Sequence, residues 1–416
     1  MNYYLVIILI IIIGSYFLEL IVEKLNLRNL KTELPGEFEG FYDKERYRTS
    51  QEYLLENTRF GLLNSSIETP IILIFILLGG FNFVDRFARS FDLNSILTGL
   101  IFTGVLLIVF QLLELPFSIY DTFVIEEKYG FNRTTPKTFI LDIVKSWLLV
   151  GLIGGAGLYG ILWFLETTGT WAWLYCWAGI TVFQILMAFV APVIIMPIFN
   201  KYTPLKKDDL REEIEDYAQS QNFKIKGVYQ MDGSRRSTKA NAYFSGFGRF
   251  RRIVLFDTLI EKHSNSELVS ILAHEMGHFK KGHFWKSMIL SILTFGLMFY
   301  ILSLFINNRE LFDAFRMEKT SVYASLVFFG FLYGPIDTIL SIISNAYSRR
   351  NEYEADSYAI KTYGNPSSMI QALKKLSVDN LSNLTPHPLK VFLSYSHPPI
   401  IERIRAIRAL STEASR

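Results

Sequence analysis

Residues 5–22 read LVIILIIIIGSYFLELIV, an apolar run that contains a single charged residue, Glu19. An α-helix needs about twenty such residues to cross roughly 30 Å of hydrocarbon. Six similar runs follow, and the seven candidate spans are residues 3–22, 67–84, 96–115, 144–165, 172–199, 284–306 and 321–344. The sequence therefore predicts an all-α polytopic membrane protein.

The overall composition agrees with this reading. Half of the 416 residues are hydrophobic and 19% are charged, with a mean hydropathy of +0.25, which is too apolar for an ordinary soluble protein. The formal net charge of +3 offers no electrostatic basis for a nucleic-acid partner. Lys and Arg are more frequent in the loops after spans one, three, five and seven, which predicts an outside N-terminus and a cytoplasmic C-terminus.

The longest polar insertion, residues 200–283, separates spans five and six. It begins with the amphipathic stretch DDLREEIEDYAQSQ and continues with two strand-like segments, FKIKGVYQMD and RRIVLFDTLI, which predict a small α+β cytoplasmic region. We divide the chain accordingly: residues 1–199 hold spans one to five, 200–283 the catalytic region, 284–344 spans six and seven, and 345–416 a cytoplasmic helical region.

The segment HEMGH at 274–278 is the strongest chemical signal in the chain. On a helix, His274 and His278 lie on one face and can bind one zinc ion, and Glu275 between them is placed as a general base. The alternative is two ordinary surface histidines on a helix. A catalytic zinc usually takes a third protein ligand from elsewhere in the chain.

Two candidates for that third ligand stand out. His283 is one, but the metzincin pattern requires glycine and histidine at positions where this chain has Lys281 and Phe284. Glu352 is the better candidate, and Asp356, one helical turn later, could orient a ligating histidine. The alternative for this acidic segment is a solvated helix face balanced by nearby arginines.

Several longer blocks resemble the type I CAAX prenyl endopeptidases, a family of membrane zinc metalloproteases. These blocks are DTFVIEEKYGFNRTT, KANAYFSGFGRFRRIVLFDTL, LAHEMGHFKKGH, SRRNEYEAD and YSHPPIIERI, in family order. The resemblance implies a barrel of seven transmembrane helices around an internal chamber. It implies Glu352 as third ligand of one zinc per chain, and Asp356 as a residue that supports the site or handles protons.

The same resemblance implies roles for four further residues. His397 would hold the oxyanion, with Arg403 nearby, and Asn241 and Ala242 would bind an extended peptide at a strand edge. The alternatives are a surface histidine that begins a helix, for His397, and a plain hairpin turn, for Asn241 and Ala242.

The expected function is zinc-dependent endopeptidase activity near the C-terminus of CAAX-type substrates, including prenylated ones, with the active site on the cytoplasmic side. A membrane-protein quality-control protease and a metal-regulated transporter or receptor are the alternatives. Short outward loops and the ending STEASR favour a bacterial or archaeal source. The location is then the inner membrane, or the endoplasmic reticulum for a eukaryotic source.

Overall fold

The computed structural model describes residues 2–206, 208–245 and 252–414. Within these ranges, seven helical stretches are long and apolar enough to cross a membrane. Each overlaps one of the seven predicted runs, and together they are Tyr3–Arg28, Lys44–Leu77, Ser95–Lys128, Pro136–Thr167, Gly169–Phe199, His283–Ser303 and Val322–Tyr363.

The second predicted run, residues 67–84, is wrong at its C-terminal end. The helix ends at Leu77, because the chain turns at Gly79, whose φ of 77° is readily adopted by glycine. The α-helices in the N-terminal half are α1 Tyr3–Arg28, α2 Lys44–Leu77, α3 Gly80–Arg89, α4 Ser95–Tyr120, α5 Glu126–Lys128, α6 Pro136–Leu149, α7 Gly155–Thr167, α8 Ala172–Val190 and α9 Met196–Phe199. Those that follow are α10 Asp209–Ser220, α11 Asp257–Lys262, α12 Asn265–Lys280, α13 His283–Ser303, α14 Arg309–Ala314, α15 Val322–Tyr363, α16 Pro366–Asp379, α17 Pro388–Ser394 and α18 Ile400–Ala414.

Few residues of the membrane-spanning helices are fully buried within the protein. In their most apolar windows only 0–22% of the residues are buried. A helix at the centre of a solid bundle would be covered on all sides, whereas a helix in the wall of a hollow barrel is covered only along its two seams. The exposure is therefore that of a barrel wall.

The soluble part contains a four-stranded sheet with the order β1-β2-β4-β3. The strands are β1 Tyr202–Pro204, β2 Gly227–Met231, β3 Ala242–Ser245 and β4 Arg252–Phe256. The two central strands are parallel, and each edge strand is antiparallel to its neighbour. β2 and β4 confirm the two predicted strand segments, while β1 was not predicted, and the connection between β3 and β4 lies outside the described residues.

The second strand segment, RRIVLFDTLI, was predicted too long. β4 ends at Phe256 and α11 begins at Asp257. The carboxylate of Asp257 accepts hydrogen bonds from the backbone N–H groups of Ser234 and Thr258, at 2.9 and 2.8 Å. Asp257 thus ties the start of α11 to the turn that follows β2.

The predicted site residues on α12, on α15 and beside α18 are brought together by the packing of these helices. α12 packs against α15, whose N-terminal part is the seventh predicted span, and against α16. α18 packs on the same two partners. One apolar cluster joins α12 to the sheet, and a second joins α16 and α18 to the segment after α1. Residues far apart in sequence therefore meet at one point on α15.

Candidate metal centre and active site

The helix that carries HEMGH is fixed firmly at its N-terminus. Ser264 and Glu267 form a reciprocal capping box, in which each side chain accepts a hydrogen bond from the other residue's backbone N–H. Glu267 is buried, and Lys375 on α16 pairs with its carboxylate at 2.7 Å. The cap and the ion pair together set the rotation of α12, and hence the direction in which His274 and His278 point.

Gly277 allows α12 to approach α15 closely. A Cβ atom at this position would lie 2.9 Å from Ala355 Cα and 3.0 Å from Ala355 O, closer than real side chains pack. Glycine is therefore required at this crossing. The contact places the histidines of α12 directly against the turn of α15 that carries Glu352 and Asp356.

His274, His278 and Glu352 converge on one point. The two Nε2 atoms lie 3.1 Å apart, and the Glu352 oxygens lie 3.4 Å from His274 Nε2 and 3.2 Å from His278 Nε2. Two ligand atoms at zinc-bond length and tetrahedral angle stand about 3.3 Å apart. The three side chains therefore fit a tetrahedral zinc site. Among the residues that the structure describes, they form the group whose ligand atoms lie close enough together to hold one metal ion.

The second ring nitrogen of His274 faces a buried carboxylate. Its Nδ1 lies 2.8 Å from Asp356 Oδ1, so the Nδ1–H donates to Asp356 and Nε2 is directed at the centre, where a metal would replace its proton. Burial lowers the pKa of His274, but the Asp356 carboxylate, together with that of Glu352, outweighs burial and raises that pKa to about 9. This arrangement makes the imidazole a strong electron donor.

Arg403 lies behind the ligands. Its guanidinium donates to both Asp356 oxygens, at 2.9 and 2.6 Å, and its Nη1 lies 3.1 Å from Glu352 Oε2. The residue is 7% exposed, and the two carboxylates hold its pKa above the usual range although burial opposes them. Arg403 thus contacts the candidate ligand Glu352 and also Asp356, the partner of His274, and its buried position favours a positioning role over the catalytic role expected beside His397.

Glu275 and His397 lie close to the centre without belonging to the candidate ligand set. Glu275 stands on α12 between the two histidines and is half-buried, and burial raises the pKa of its carboxyl. His397 lies just before α18, with its Nε2 3.4 Å from Glu352 Oε1 and its Nδ1 3.0 Å from Ser396 Oγ. Its side chain is 65% exposed, so the ring is accessible to a bound molecule.

Asn241 and Ala242 lie where β3 begins, on the outer edge of the sheet. β3 contacts α12, so this edge runs beside the helix that carries the histidines. Ala242 is buried, and its N–H donates to Asn241 Oδ1 at 2.8 Å. The backbone of this edge, rather than the Ala242 side chain, is the part that an extended peptide could meet.

The contacts of two neighbours of the centre, His283 and Glu354, were not predicted from the sequence. His283 was weighed only as a ligand, and Glu354 only as part of an acidic face. In the structure His283 Nδ1 lies 3.0 Å from His278 Nδ1, and His283 Nε2 lies 3.2 Å from Glu354 Oε2. The sequence carried no local signal for this pair, because Glu354 lies two residues from Glu352 on a helix and so points to a different side, and the fold brings His283 to it.

Comparison with known proteins agrees with this geometry. Residues 24–201 match the family described as CAAX prenyl protease N-terminal, five membrane helices, and residues 204–411 match peptidase family M48. The chain is 35% identical to the CAAX prenyl protease 1 homolog of Oryza sativa subsp. japonica, and the match covers 97% of each protein. It is 33% identical to CAAX prenyl protease 1 of Saccharomyces cerevisiae, and this match covers 92% of the chain and 90% of the yeast protein.

The fold also matches a solved structure. The crystal structure of S. mikatae Ste24p superposes with a TM-score of 0.93 at 31% identity, covering 97% of this chain and 99% of that one. This match confirms the predicted helical membrane barrel with an internal chamber and a small sheet region. The chain belongs to peptidase family M48, and within it to the membrane metalloendopeptidases of the CAAX prenyl protease 1 group.

Proposed function

We propose that the chain is a zinc endopeptidase that cleaves near the C-terminus of CAAX-type substrates, including prenylated ones. The observation that carries the proposal is the convergence of His274, His278 and Glu352 beside Glu275. Two imidazoles and one carboxylate form a three-ligand set of the kind found in catalytic zinc sites, which keep one position open. One zinc per chain would be held by these three residues.

When bound, zinc would supply Lewis-acid chemistry, which acidifies water and polarises a carbonyl. Glu275 would accept the proton of the attacking water and return it to the leaving amine. The raised pKa of its carboxyl suits both directions of transfer. His397, whose side chain is exposed, would donate a hydrogen bond to the developing oxyanion.

The substrate would lie as an extended strand along the free edge of β3. Backbone pairing with this edge would begin at Asn241 and Ala242, where the Ala242 N–H now donates to the Asn241 side chain. We place this edge, the metal centre and residues 200–283 and 345–416 on the cytoplasmic side, and assign residues 1–199 and 284–344 to the membrane barrel. The remaining partner is the lipid bilayer around the barrel.

The test combines zinc analysis with peptide cleavage by the detergent-purified protein. Wild type should hold about one zinc per chain and cut a farnesylated CAAX peptide. Glu275→Gln should keep the zinc and lose about 100-fold or more in kcat, because it removes the proton acceptor without removing a ligand. Glu352→Ala should lose the zinc itself.

A matched unlipidated peptide from a membrane-protein loop separates the substrate classes. Zinc-dependent cleavage of the loop peptide with no cleavage of the farnesylated one would replace the CAAX assignment by the quality-control alternative. Zinc that remains bound in Glu352→Ala would remove this residue from the ligand set. The transporter or receptor alternative loses its support, because family membership identifies the chain as a metalloendopeptidase.

A further inference from the structure

His283 contacts the candidate ligand His278, and Glu354 contacts His283, although neither belongs to the HEMGH segment or to the proposed ligand set. His283 is the first residue of α13 and is only 4% exposed. It follows Gly282, whose φ of 69° turns the chain back on α12. This turn places the imidazole of His283 against that of His278, with ring centroids 5.1 Å apart.

The hydrogen-bond partners fix which nitrogen carries each proton. Glu354 Oε2 lies 3.2 Å from His283 Nε2, and an ionised carboxylate only accepts, so the His283 proton is on Nε2. The Nδ1 of the same neutral ring is then a bare acceptor, and it lies 3.0 Å from His278 Nδ1. His278 therefore donates from Nδ1 and keeps the lone pair of Nε2 for the centre.

We propose that His283 and Glu354 are positioning residues that hold His278 in its ligating tautomer and orientation. The inference rests on the proposed role of His278 as a zinc ligand. It gives the two histidines of the centre parallel support, since His274 donates to Asp356 and His278 donates through His283 to Glu354. Carboxylates that orient metal-bound histidines act through this kind of contact.

The two supports differ in how deeply they are buried. The Asp356 side chain is 1% exposed and is bound by the buried Arg403, whereas Glu354 is 33% exposed and is bound by Arg350, itself 76% exposed. Water can compete for the outer carboxylate but not for the inner one. His278, His283 and Glu354 form a hydrogen-bonded relay, and the buried imidazole of His283 is the part of it that water cannot reach. The loss of His283 should therefore weaken zinc binding more than the loss of Glu354.

The experiment measures zinc affinity by competition with a chromophoric chelator, using the full-length protein in detergent. His283→Phe keeps an aromatic ring but offers no acceptor, and we expect it to bind zinc about 10- to 100-fold more weakly. His283→Asn places an amide oxygen near the position of Nδ1, so it should recover part of that loss. Glu354→Ala should weaken binding by a smaller factor, and Arg350→Ala, which removes only the outermost contact, is the matched control.

Two further measurements distinguish positioning from a general loss of structure. The thermal midpoint of the metal-free protein should be similar in His283→Asn and wild type, and the visible spectrum of the cobalt(II)-loaded protein should change in His283→Phe. In a His278→Ala background, His283→Phe should cause no additional loss of zinc affinity, because the ring that it supports is gone.

The outcomes separate this inference from the proposed function. If His278→Ala weakens zinc binding but His283→Phe and Glu354→Ala do not, the relay is wrong and the ligand set stands. If His278→Ala itself leaves zinc affinity unchanged, His278 is not a zinc ligand, and the proposed function loses this ligand independently of the relay. Should His283→Phe not fold, Glu354→Ala decides, and wild-type affinity in that variant overturns the relay.

Discussion

At the scale of single residues, Glu352 and Asp356 show how neighbours with the same chemistry acquire different tasks. They lie one helical turn apart on α15, and both are almost fully buried. Glu352 faces the Nε2 atoms of both histidines, while Asp356 faces the Nδ1 of one histidine and the guanidinium of Arg403. Two buried carboxylates so close together need a shared cation, and Arg403 provides it.

Arg403 gives the first prediction at this scale. Arg403→Lys keeps the positive charge but cannot form the two parallel hydrogen bonds to Asp356. We expect zinc affinity to fall about 10-fold, as for other residues that orient ligands, with little change in KM because the side chain is buried away from substrate. Zinc competition and steady-state kinetics measure the two effects.

Arg405→Lys is the control for this substitution, since residue 405 lies on the same helix but is exposed. It should behave as wild type in both assays. A large rise in KM for Arg403→Lys at unchanged zinc affinity would instead indicate that Arg403 contacts the substrate.

His397 gives the second prediction. It is the exposed histidine nearest to the Glu352 carboxylate, and it can point a ring N–H toward the centre. His397→Ala should lower kcat about 100- to 1000-fold while zinc content and KM change little, because an oxyanion donor acts mainly in the transition state. Zinc loss that accompanies the fall in kcat would indicate a structural role instead.

At the scale of elements, the crossing of α12 and α15 determines the site. The HEMGH helix and the Glu352 helix are connected by a span, a loop and most of a second span, so their contact is not fixed by the intervening chain. Gly277 against Ala355 sets the distance between them. A ligand set divided between two helices is only as precise as this contact.

Gly277→Ala tests the crossing directly. The new methyl group would meet the backbone of α15, which cannot rotate away as a side chain can, so the helices must separate. Overpacking of this kind costs about 1–3 kcal/mol, and we expect a lower thermal midpoint together with weaker zinc binding. Differential scanning fluorimetry and chelator competition provide the two readouts.

Gly330→Ala is the matched control, because residue 330 lies on α15 with no atom within 4 Å of its would-be Cβ. This variant should be as stable as wild type or slightly more stable, since alanine favours helix. If Gly277→Ala binds zinc as wild type does, the close approach is not what aligns the ligands.

The accuracy of sequence reasoning differs between these elements for physical reasons. The spans were predicted because twenty-residue apolar runs are set by bilayer thickness, and His274, His278 and Glu275 because i, i+4 spacing is local. The strand β1 was missed because its three residues gain their structure by pairing with β2. The contact of His283 with His278 was not predicted, because it depends on the turn at Gly282, which spacing does not reveal.

At the scale of the whole molecule, the barrel and the soluble part share one long helix. α15 begins among the buried aromatic residues at one end of the barrel, around Tyr323 and Phe328, and ends beside the metal centre. The same helix therefore belongs both to the chamber wall and to the active site. A substrate inside the chamber and a peptide on the β3 edge would meet at its C-terminal half.

This continuity makes the sidedness of the protein a testable property. The excess of Lys and Arg in alternate loops predicts that the short segment Gly169–Trp171 lies outside and that α18 lies in the cytoplasm. Single cysteines report the side if the buried Cys176 is first replaced by alanine. Thr170→Cys and Ala409→Cys put the new thiols at exposed positions, one in Gly169–Trp171 and one on α18.

We expect a membrane-impermeant maleimide, applied to intact spheroplasts that express each variant, to label Thr170→Cys and to spare Ala409→Cys. Permeabilised cells should label both, which shows that each thiol is accessible, and retained peptide cleavage shows that each variant is folded. The reverse labelling pattern in intact spheroplasts would mean that the protein has the opposite orientation, with the metal centre outside. In that case substrates would have to approach from the outer side, and cytoplasmic CAAX proteins could not be the natural class.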